Sequence, residues 1–391
     1  MIRIQNKVDC CGCEACVQVC PISAIVFNED ECGFGYPVIN EDTCVNCGLC
    51  EKVCPILNKR ELKSDKIVYA SINPDNETRL LSSSGGVFSM ISEYIIENGG
   101  VVFGAAFNSS WDVEHRYVEN KSELYLLRGS KYVQSRIGDA YKHTKCFLEQ
   151  GRKVLFSGTP CQIAGLKNFL RKEYDNLILL DVACHAVPSP LVWRRYLDEK
   201  IYSRMEGAII TDVSFREKST GWSRYSVVIK GKEDEYKDVR CFVKETVDKN
   251  IYMQIFLNDL SVRPSCVACP AKLSNCCSDL TLADYWGIGK INYNWDDSRG
   301  TSMVVVNTYN GEQLVKQMHL DNYSIRTSFN EAVKCNPSLI KPIKENKDSK
   351  LFWEIFQVSG FKDISSILRK YQPSFTRRVL SKVKQIISKM V

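Results

Sequence analysis

CCGCEACVQVCP occupies residues 10–21 and CVNCGLCEKVCP occupies residues 44–55. Both read C-x2-C-x2-C-x3-C-P: Cys10, Cys13, Cys16 and Cys20 precede Pro21, and Cys44, Cys47, Cys50 and Cys54 precede Pro55, with every cysteine displaced by 34 positions. The N-terminal stretch is thus a duplicated module. Three cysteines on one loop wrap three corners of a cubane iron–sulfur cluster, whereas the fourth, on the following helical turn, faces away. The ligands are therefore expected to cross over. Cys10, Cys13, Cys16 and Cys54 hold one [4Fe-4S] cluster in this reading, and Cys44, Cys47, Cys50 and Cys20 hold the other. Zinc is the alternative, but zinc sites are built from two C-x2-C pairs and have no use for two C-x3-C-P endings. The C-x3-C-x2-C triplet of radical-SAM chemistry does not occur in the chain.

Between the motifs, AIVFN (24–28) and YPVIN (36–40) flank the turn-rich EDECGFG, which predicts a short hairpin over the clusters. Cys11 and Cys32 are left over and read as small packing residues. The stretch resembles a bacterial two-cluster ferredoxin over residues 1–60, with every motif position filled.

The chain has 391 residues, 44% hydrophobic and 25% charged, a balance that supports a buried core and excludes disorder. Nineteen cysteines are too many for disulfides in a reducing compartment and ask for metal. No apolar run reaches membrane-spanning length, and MIRIQNKVDCC lacks a secretory signal, so a soluble cytoplasmic protein is the expectation. The formal charge of +6 counts thiols as neutral. Two cubanes with their thiolates lower it to about +2 and three to about zero, so the basic excess offsets cofactor charge and points to no nucleic-acid partner.

From Lys66 the pattern changes. KIVYASI (66–72), VVFGAAF (101–107), KVLFSG (153–158) and LILLDVA (177–183) read as strands; GVFSMISEYIIEN (86–98), SRIGDAYKHTKCFLEQG (135–151) and QIAGLKNFLRK (162–172) read as helices. The fold class is α+β: a small ferredoxin-like two-cluster domain, a larger mixed α/β body with a partly parallel sheet, and a helical C-terminal tail. AIITDVSFR and YSVVIKG, beyond residue 207, predict an antiparallel extension of the same body.

Ligands of such sheets collect where strands end and helices begin. SSSGG (82–86) offers hydroxyls and glycines at a helix start, either as a phosphate cradle or as an ordinary serine cap. GTPC (158–161) ends a buried strand, with Pro160 opening a helix and the thiolate of Cys161 expected to be stabilised at its start. DVACHAVPSP (181–190) puts Cys184 and His185 just past another strand. RPSCVAC (263–269) adds a C-x2-C pair, Cys266 and Cys269, which still needs two partners. Cys161 and Cys184 provide them if the loop folds back over the strand ends, giving a third [4Fe-4S] centre. A local site of Cys266, Cys269, Cys276 and Cys277 is the rival, weakened because adjacent cysteines cannot easily face one ion; whether Cys276 or Cys277 replaces a ligand stays open.

SSSGGVFSMI, GSKYVQS (129–135), VLFSGTPCQIAGL, CHAVPSP and RPSCVAC with LTLADYWGIG (280–289) together resemble the coenzyme F420 hydrogenase/dehydrogenase beta-subunit family over residues 66–328. The resemblance implies an FAD-containing oxidoreductase with an iron–sulfur centre beside the flavin, and bacterial members suggest a setting in polysaccharide biosynthesis. Many relatives read C-H-G where this chain has Cys184, His185 and Ala186. Clusters pass single electrons and organic substrates exchange pairs, so a flavin able to do both is the missing part. Ser84, Gly85, Gly86 and Lys131 are assigned to its phosphates, Trp286 and Asp284 to the pocket, and His185 to proton relay. The expected function is electron passage between a ferredoxin-like redox partner and a small-molecule substrate through three clusters and FAD. A non-catalytic electron-transfer subunit of a larger redox complex is the alternative. The domains are then 1–60, 66–328 and 341–391. In the last, FTRRVLSKVKQIISKMV (375–391) reads as a basic amphipathic helix, which either makes peripheral contact with the inner face of a membrane or docks on its own protein.

Overall fold

The structure is a computed structural model and describes residues 1–59, 66–272 and 277–371. Cys276 and the basic amphipathic stretch 375–391 lie outside the described residues. In the N-terminal segment, strands β1 (Ile25–Glu29) and β2 (Gly35–Ile39) pair antiparallel from Ile25↔Ile39 to Glu29↔Gly35, the hairpin expected over the clusters. Each cysteine loop leads into a short helix, α1 (Ala15–Val19) or α2 (Leu49–Lys52). The residue before each helix takes a positive φ, 56° at Glu14 and 74° at Gly48, which curls the loop ahead of the helical turn.

The larger body is built on β3 (Ile67–Ser71), β4 (Val101–Phe107), β5 (Val113–Val118), β6 (Val154–Gly158), β7 (Leu177–Val182), β11 (Leu280–Asp284), β12 (Ser302–Val306) and β13 (Ser324–Thr327), in the order β13-β3-β12-β11-β7-β6-β4-β5. β4, β6, β7 and β11 are parallel, and antiparallel strands close both edges. Side chains alternate across the sheet with a period of two. Val101, Phe103, Val154, Phe156, Leu177 and Leu179 pack on one face, and Val102, Leu155, Ile178 and Leu180 on the other.

Helices α3 (Asn76–Leu81), α4 (Val87–Glu97), α5 (Leu124–Leu127), α6 (Ala140–Glu149), α7 (Pro160–Leu170), α8 (Pro190–Leu197) and α9 (Ile251–Leu257) follow in chain order. Pro160 occupies the first turn of α7, as GTPC predicts, and a Thr159/Gln162 capping box fixes its start. The expected antiparallel extension is instead a separate sheet. β8 (Ile209–Glu217), β9 (Ser226–Lys232) and β10 (Arg240–Thr246) pair only with one another. They share a core with α8, α9 and the C-terminal helices Ser349–Ser359 and Ile364–Leu368.

The N-terminal segment is seated on α6 and α7. Cys11, Cys13, Ala15 and Val53 are packed into the same cluster as Ile163, Leu166 and Phe169. Buried Glu14 accepts from the Ile137 N–H (2.8 Å) and Arg136 Nε (3.0 Å), and Gln18 Oε1 accepts from the Tyr141 and Lys142 N–H groups (3.1 and 3.2 Å). Asp139 makes no side-chain cap for α6, so Gln18 supplies it from outside the helix. The backbone approach depends on Gly165. A Cβ there would lie 2.9 Å from Cys13 Cβ and 3.0 Å from its Sγ. Gly165→Val is expected to destabilise the protein by about 1–3 kcal/mol, despite valine's better helix propensity than glycine; thermal unfolding of the two proteins side by side checks this.

Candidate functional site

The parallel strands β6, β7 and β11 end at one cavity of about 480 Å³. Its wall takes Gly158, Thr159 and Cys161 from the β6–α7 turn, Ala183, Cys184 and His185 from the end of β7, and Asp284 and Trp286 from the end of β11. Ser84, Gly86 and Val87 close it from the start of α4. A parallel sheet leaves its carboxyl ends open to ligands, so the placement follows from topology.

In the N-terminal segment burial raises the pKa of Cys16 and of Cys54, with Cys10 close enough to add to both and Cys54 close enough to add to Cys16, and Cys13 stands beside Cys10 and Cys16. The cysteine of the second motif thus joins the loop of the first. Cys20, Cys44, Cys47 and Cys50 line a small apolar recess with Ile22, Ile25 and Ile39. Backbone N–H groups already point at this sulfur set, Ile2 to Cys50 Sγ and Ala24 to Cys20 Sγ, both at 3.3 Å.

The structure also gathers the four cysteines of the larger body. Cys184 feels Cys266, Cys161 and Cys269; Cys266 feels Cys161 and Cys269; and Cys269 feels Cys161. All six pairs therefore interact, although the residues come from three segments. Burial pushes the Cys266 thiol up to about 12 and holds Cys184 well above the ordinary range. Cys161 is expected from the sequence to have a stabilised thiolate; its pKa is instead raised, because contact with Cys11 and desolvation outweigh any helix-start effect. Among the described residues, the one group of three ligand atoms within 4.8 Å is Asp30, Glu31 and Cys32, so these four thiols stand wider apart than one ion requires. Cys277 is buried in the apolar cluster that holds Leu177, Leu179 and the inner face of α7.

The polar groups of the cavity have partners that the sequence did not reveal. His185 Nε2 lies 2.7 Å from Asp259 Oδ1. Asp284 accepts from Arg216 Nη1 at 2.5 Å and from Trp222 Nε1 at 3.2 Å, and Trp286 stacks on Trp222 with centroids 4.5 Å apart. Lys131 is neither a surface lysine nor a free cation. Its three donors go to the carbonyls of Leu126 (2.8 Å), Arg128 (3.0 Å) and Gly129 (3.3 Å), which braces the loop instead of reaching into the cavity. Gly85 lies behind the wall, where its N–H donates to Ser302 Oγ and a Cβ would come 2.5 Å from the Ser71 carbonyl. Ser84 Oγ donates to the Thr301 carbonyl. Gly86, at φ 85°, is an N-cap without a side chain, so the first N–H groups of α4 border the cavity uncapped.

Two residues to which the sequence motifs assign no ligand role sit at the seam between the cysteine sets. Cys11, read as packing, is buried with its thiol against Cys13 and Cys161. Arg263 is completely buried and donates to the carbonyls of Cys10 (2.8 Å) and Gly35 (2.9 Å) and to Gln134 Oε1 (3.0 Å). The charge immediately before the C-x2-C pair was the signal available for Arg263.

Comparison with known families agrees with this layout. Residues 9–57 match the 4Fe-4S dicluster domain, and residues 151–331 match the coenzyme F420 hydrogenase/dehydrogenase beta subunit, C terminus. Residues 151–331 are thus similar to the F420 hydrogenase/dehydrogenase beta-subunit family. The chain is accordingly an iron–sulfur electron-transfer protein related to that beta subunit. No curated protein matches it. Among solved structures, a chain of the F420-reducing [NiFe] hydrogenase complex from Methanosarcina barkeri, described under xenon derivatization, is similar at 14% identity with a TM-score of 0.43, covering 78% of this chain and 93% of that one. No helix of the described residues is long and apolar enough to cross a membrane.

Upstream of the beta-subunit segment, His115 also borders the cavity, locked in one tautomer. Nε2 meets the Ser157 carbonyl at 3.0 Å and must donate there, so Nδ1 accepts from Ser135 Oγ, also at 3.0 Å. Ser135 Oγ in turn accepts from Gln162 Nε2 at 2.9 Å. Burial lowers the pKa of His115 to about 4. It is therefore neutral at pH 7. Because the folded pKa lies below the unfolded value of about 6.5, the unfolded chain binds the extra proton between those values, and stability falls as the pH drops through that window. Unfolding free energy measured from pH 7 to pH 4 is expected to lose about 3 kcal/mol through this residue, a slope that His115→Gln should largely remove.

Proposed function

We propose that the protein is an iron–sulfur flavoprotein oxidoreductase, passing electrons between a ferredoxin-like partner and a small organic substrate through three [4Fe-4S] clusters and FAD. The observation that carries this reading is the mutual approach of Cys161, Cys184, Cys266 and Cys269 at the wall of the 480 Å³ cavity. Four half-buried thiols with raised pKa values favour staying protonated; a cationic inorganic core that neutralises thiolates is the usual reason to gather them. Their spacing suits a cubane, which spreads its four thiolates over separate irons, better than a single zinc ion.

The cavity residues fit a flavin nucleotide. Arg128 stands in the wall beside the Arg216–Asp284 pair, and the uncapped start of α4 favours a phosphate. Trp286, held by Trp222, offers a flat apolar surface. FAD, when bound, supplies the exchange between single electrons and electron pairs. Asp284 keeps Arg216 and Trp222 in position, and His185, oriented by Asp259, holds or moves a proton at the substrate. Lys131 acts through the shape of its loop. A polysaccharide-biosynthetic setting is carried by the family resemblance alone.

The carrier reading, in which catalysis belongs to another subunit, needs neither flavin nor third centre. Anaerobic reconstitution separates the two. About twelve irons and one FAD per chain are expected, whereas about eight irons without flavin would leave the carrier reading standing. Cys266→Ser should lose about four irons while the EPR signals of the N-terminal clusters persist.

A further inference from the structure

Arg263 is a guanidinium with no exposure, and none of its hydrogen-bond partners among the described residues is a carboxylate. Its aromatic neighbours, Phe34 and Tyr36, lie 5.6 and 4.4 Å from the guanidinium carbon and carry no net charge. A guanidinium cannot shed its proton to escape burial, so an anion must balance it. The candidates are on either side. Arg263 donates to the carbonyl of Cys10 and lies near enough to Cys161 and Cys266 to favour their thiolates. Gly12, in the first cysteine loop, has no room for a Cβ beside it, since Arg263 Nη1 would be 2.8 Å away.

Cys11 occupies the same seam. Its thiol contacts Cys13 of the N-terminal set and Cys161 of the larger body, so sulfur meets sulfur across the boundary. The Cys20, Cys44, Cys47 and Cys50 set lies on the far side, where Cys47 is exposed.

We propose that Cys11 and Arg263 form the electron junction between the two parts of the chain, with Cys13, Cys11 and Cys161 as the contact path and Arg263 as the fixed counter-charge shared by the centres on both sides. This rests on the third centre of the proposed function. The step is a one-electron exchange: the centre on Cys10, Cys13, Cys16 and Cys54 is oxidised by one electron, the centre on Cys161, Cys184, Cys266 and Cys269 is reduced by one, and no bond or proton moves. Electrons entering by the exposed set reach this path through the centre on Cys10, Cys13, Cys16 and Cys54, and net flow the other way retraces the same route. Arg263 is a positioning and tuning residue: a cation beside a cluster stabilises the more negative, reduced form and raises its potential.

The full chain is reconstituted anaerobically and its iron counted first, because about eight irons in the wild type overturn the third centre and the junction together. With about twelve irons present, the junction is tested alone. EPR-monitored redox titration is expected to give a lower potential for the N-terminal cluster nearest the seam in Arg263→Gln and a near-wild-type one in Arg263→Lys, which keeps the charge. Rapid-freeze EPR after mixing with substoichiometric reduced ferredoxin is expected to give several-fold slower reduction of the third centre in Cys11→Ala. Unchanged potentials in Arg263→Gln, or unchanged transfer in Cys11→Ala at full iron content, overturn the proposal. Cys11→Ser serves if the alanine variant does not fold.

Discussion

The contact on which the rest of the structure depends is the seat of the first cysteine loop on α7. Gly165 removes the side chain that would hold Cys13 away, and Arg263 reaches from the larger body to tie the Cys10 and Gly35 carbonyls. Glu14 and Gln18, four residues apart and so on one side of α1, anchor the Ile137 backbone and cap α6. The bonds of Arg263 and Glu14 are charge-assisted and worth about 1.5–3 kcal/mol each, well above the value of an exposed ion pair. An iron–sulfur module on a free tether would meet the body only by diffusion. Here it is part of the core.

That seat has a chemical consequence. α7 carries both Gly165, which receives the N-terminal loop, and Cys161, which opens on the cavity. One helical turn therefore joins the module to the carboxyl ends of the parallel strands. The excursion between β7 and β11 brings Cys266 and Cys269 back over the same ends, and its second sheet shares the core of α8 and α9 that supports them. Fold and site are built by one topology.

Much of this was legible in the sequence where the signal is local. The duplicated C-x2-C-x2-C-x3-C-P motif, the strand runs from KIVYASI to LILLDVA and the Pro160 start of α7 depend on neighbours within a few residues, and the structure has them in those places. The convergence of Cys161 and Cys184 with Cys266 and Cys269 came from a topological rule about strand ends. What was not legible belongs to tertiary packing. Cys11 looks like a spare thiol because nothing beside it in sequence tells that α7 will lie against it. Lys131 looks like a phosphate ligand because its loop composition suits one, yet three carbonyls of that loop take its protons. Strands β8 to β10 read as an extension because sequence gives strand character but not pairing partners.

The central claim is that thiols distant in sequence surround an inorganic centre at the cavity wall. An anomalous-difference map collected at the iron edge from anaerobic crystals of the wild-type protein tests it most directly. The account expects three separate iron peaks, the third enclosed by Cys161, Cys184, Cys266 and Cys269. Two peaks, both within the N-terminal segment, would contradict it.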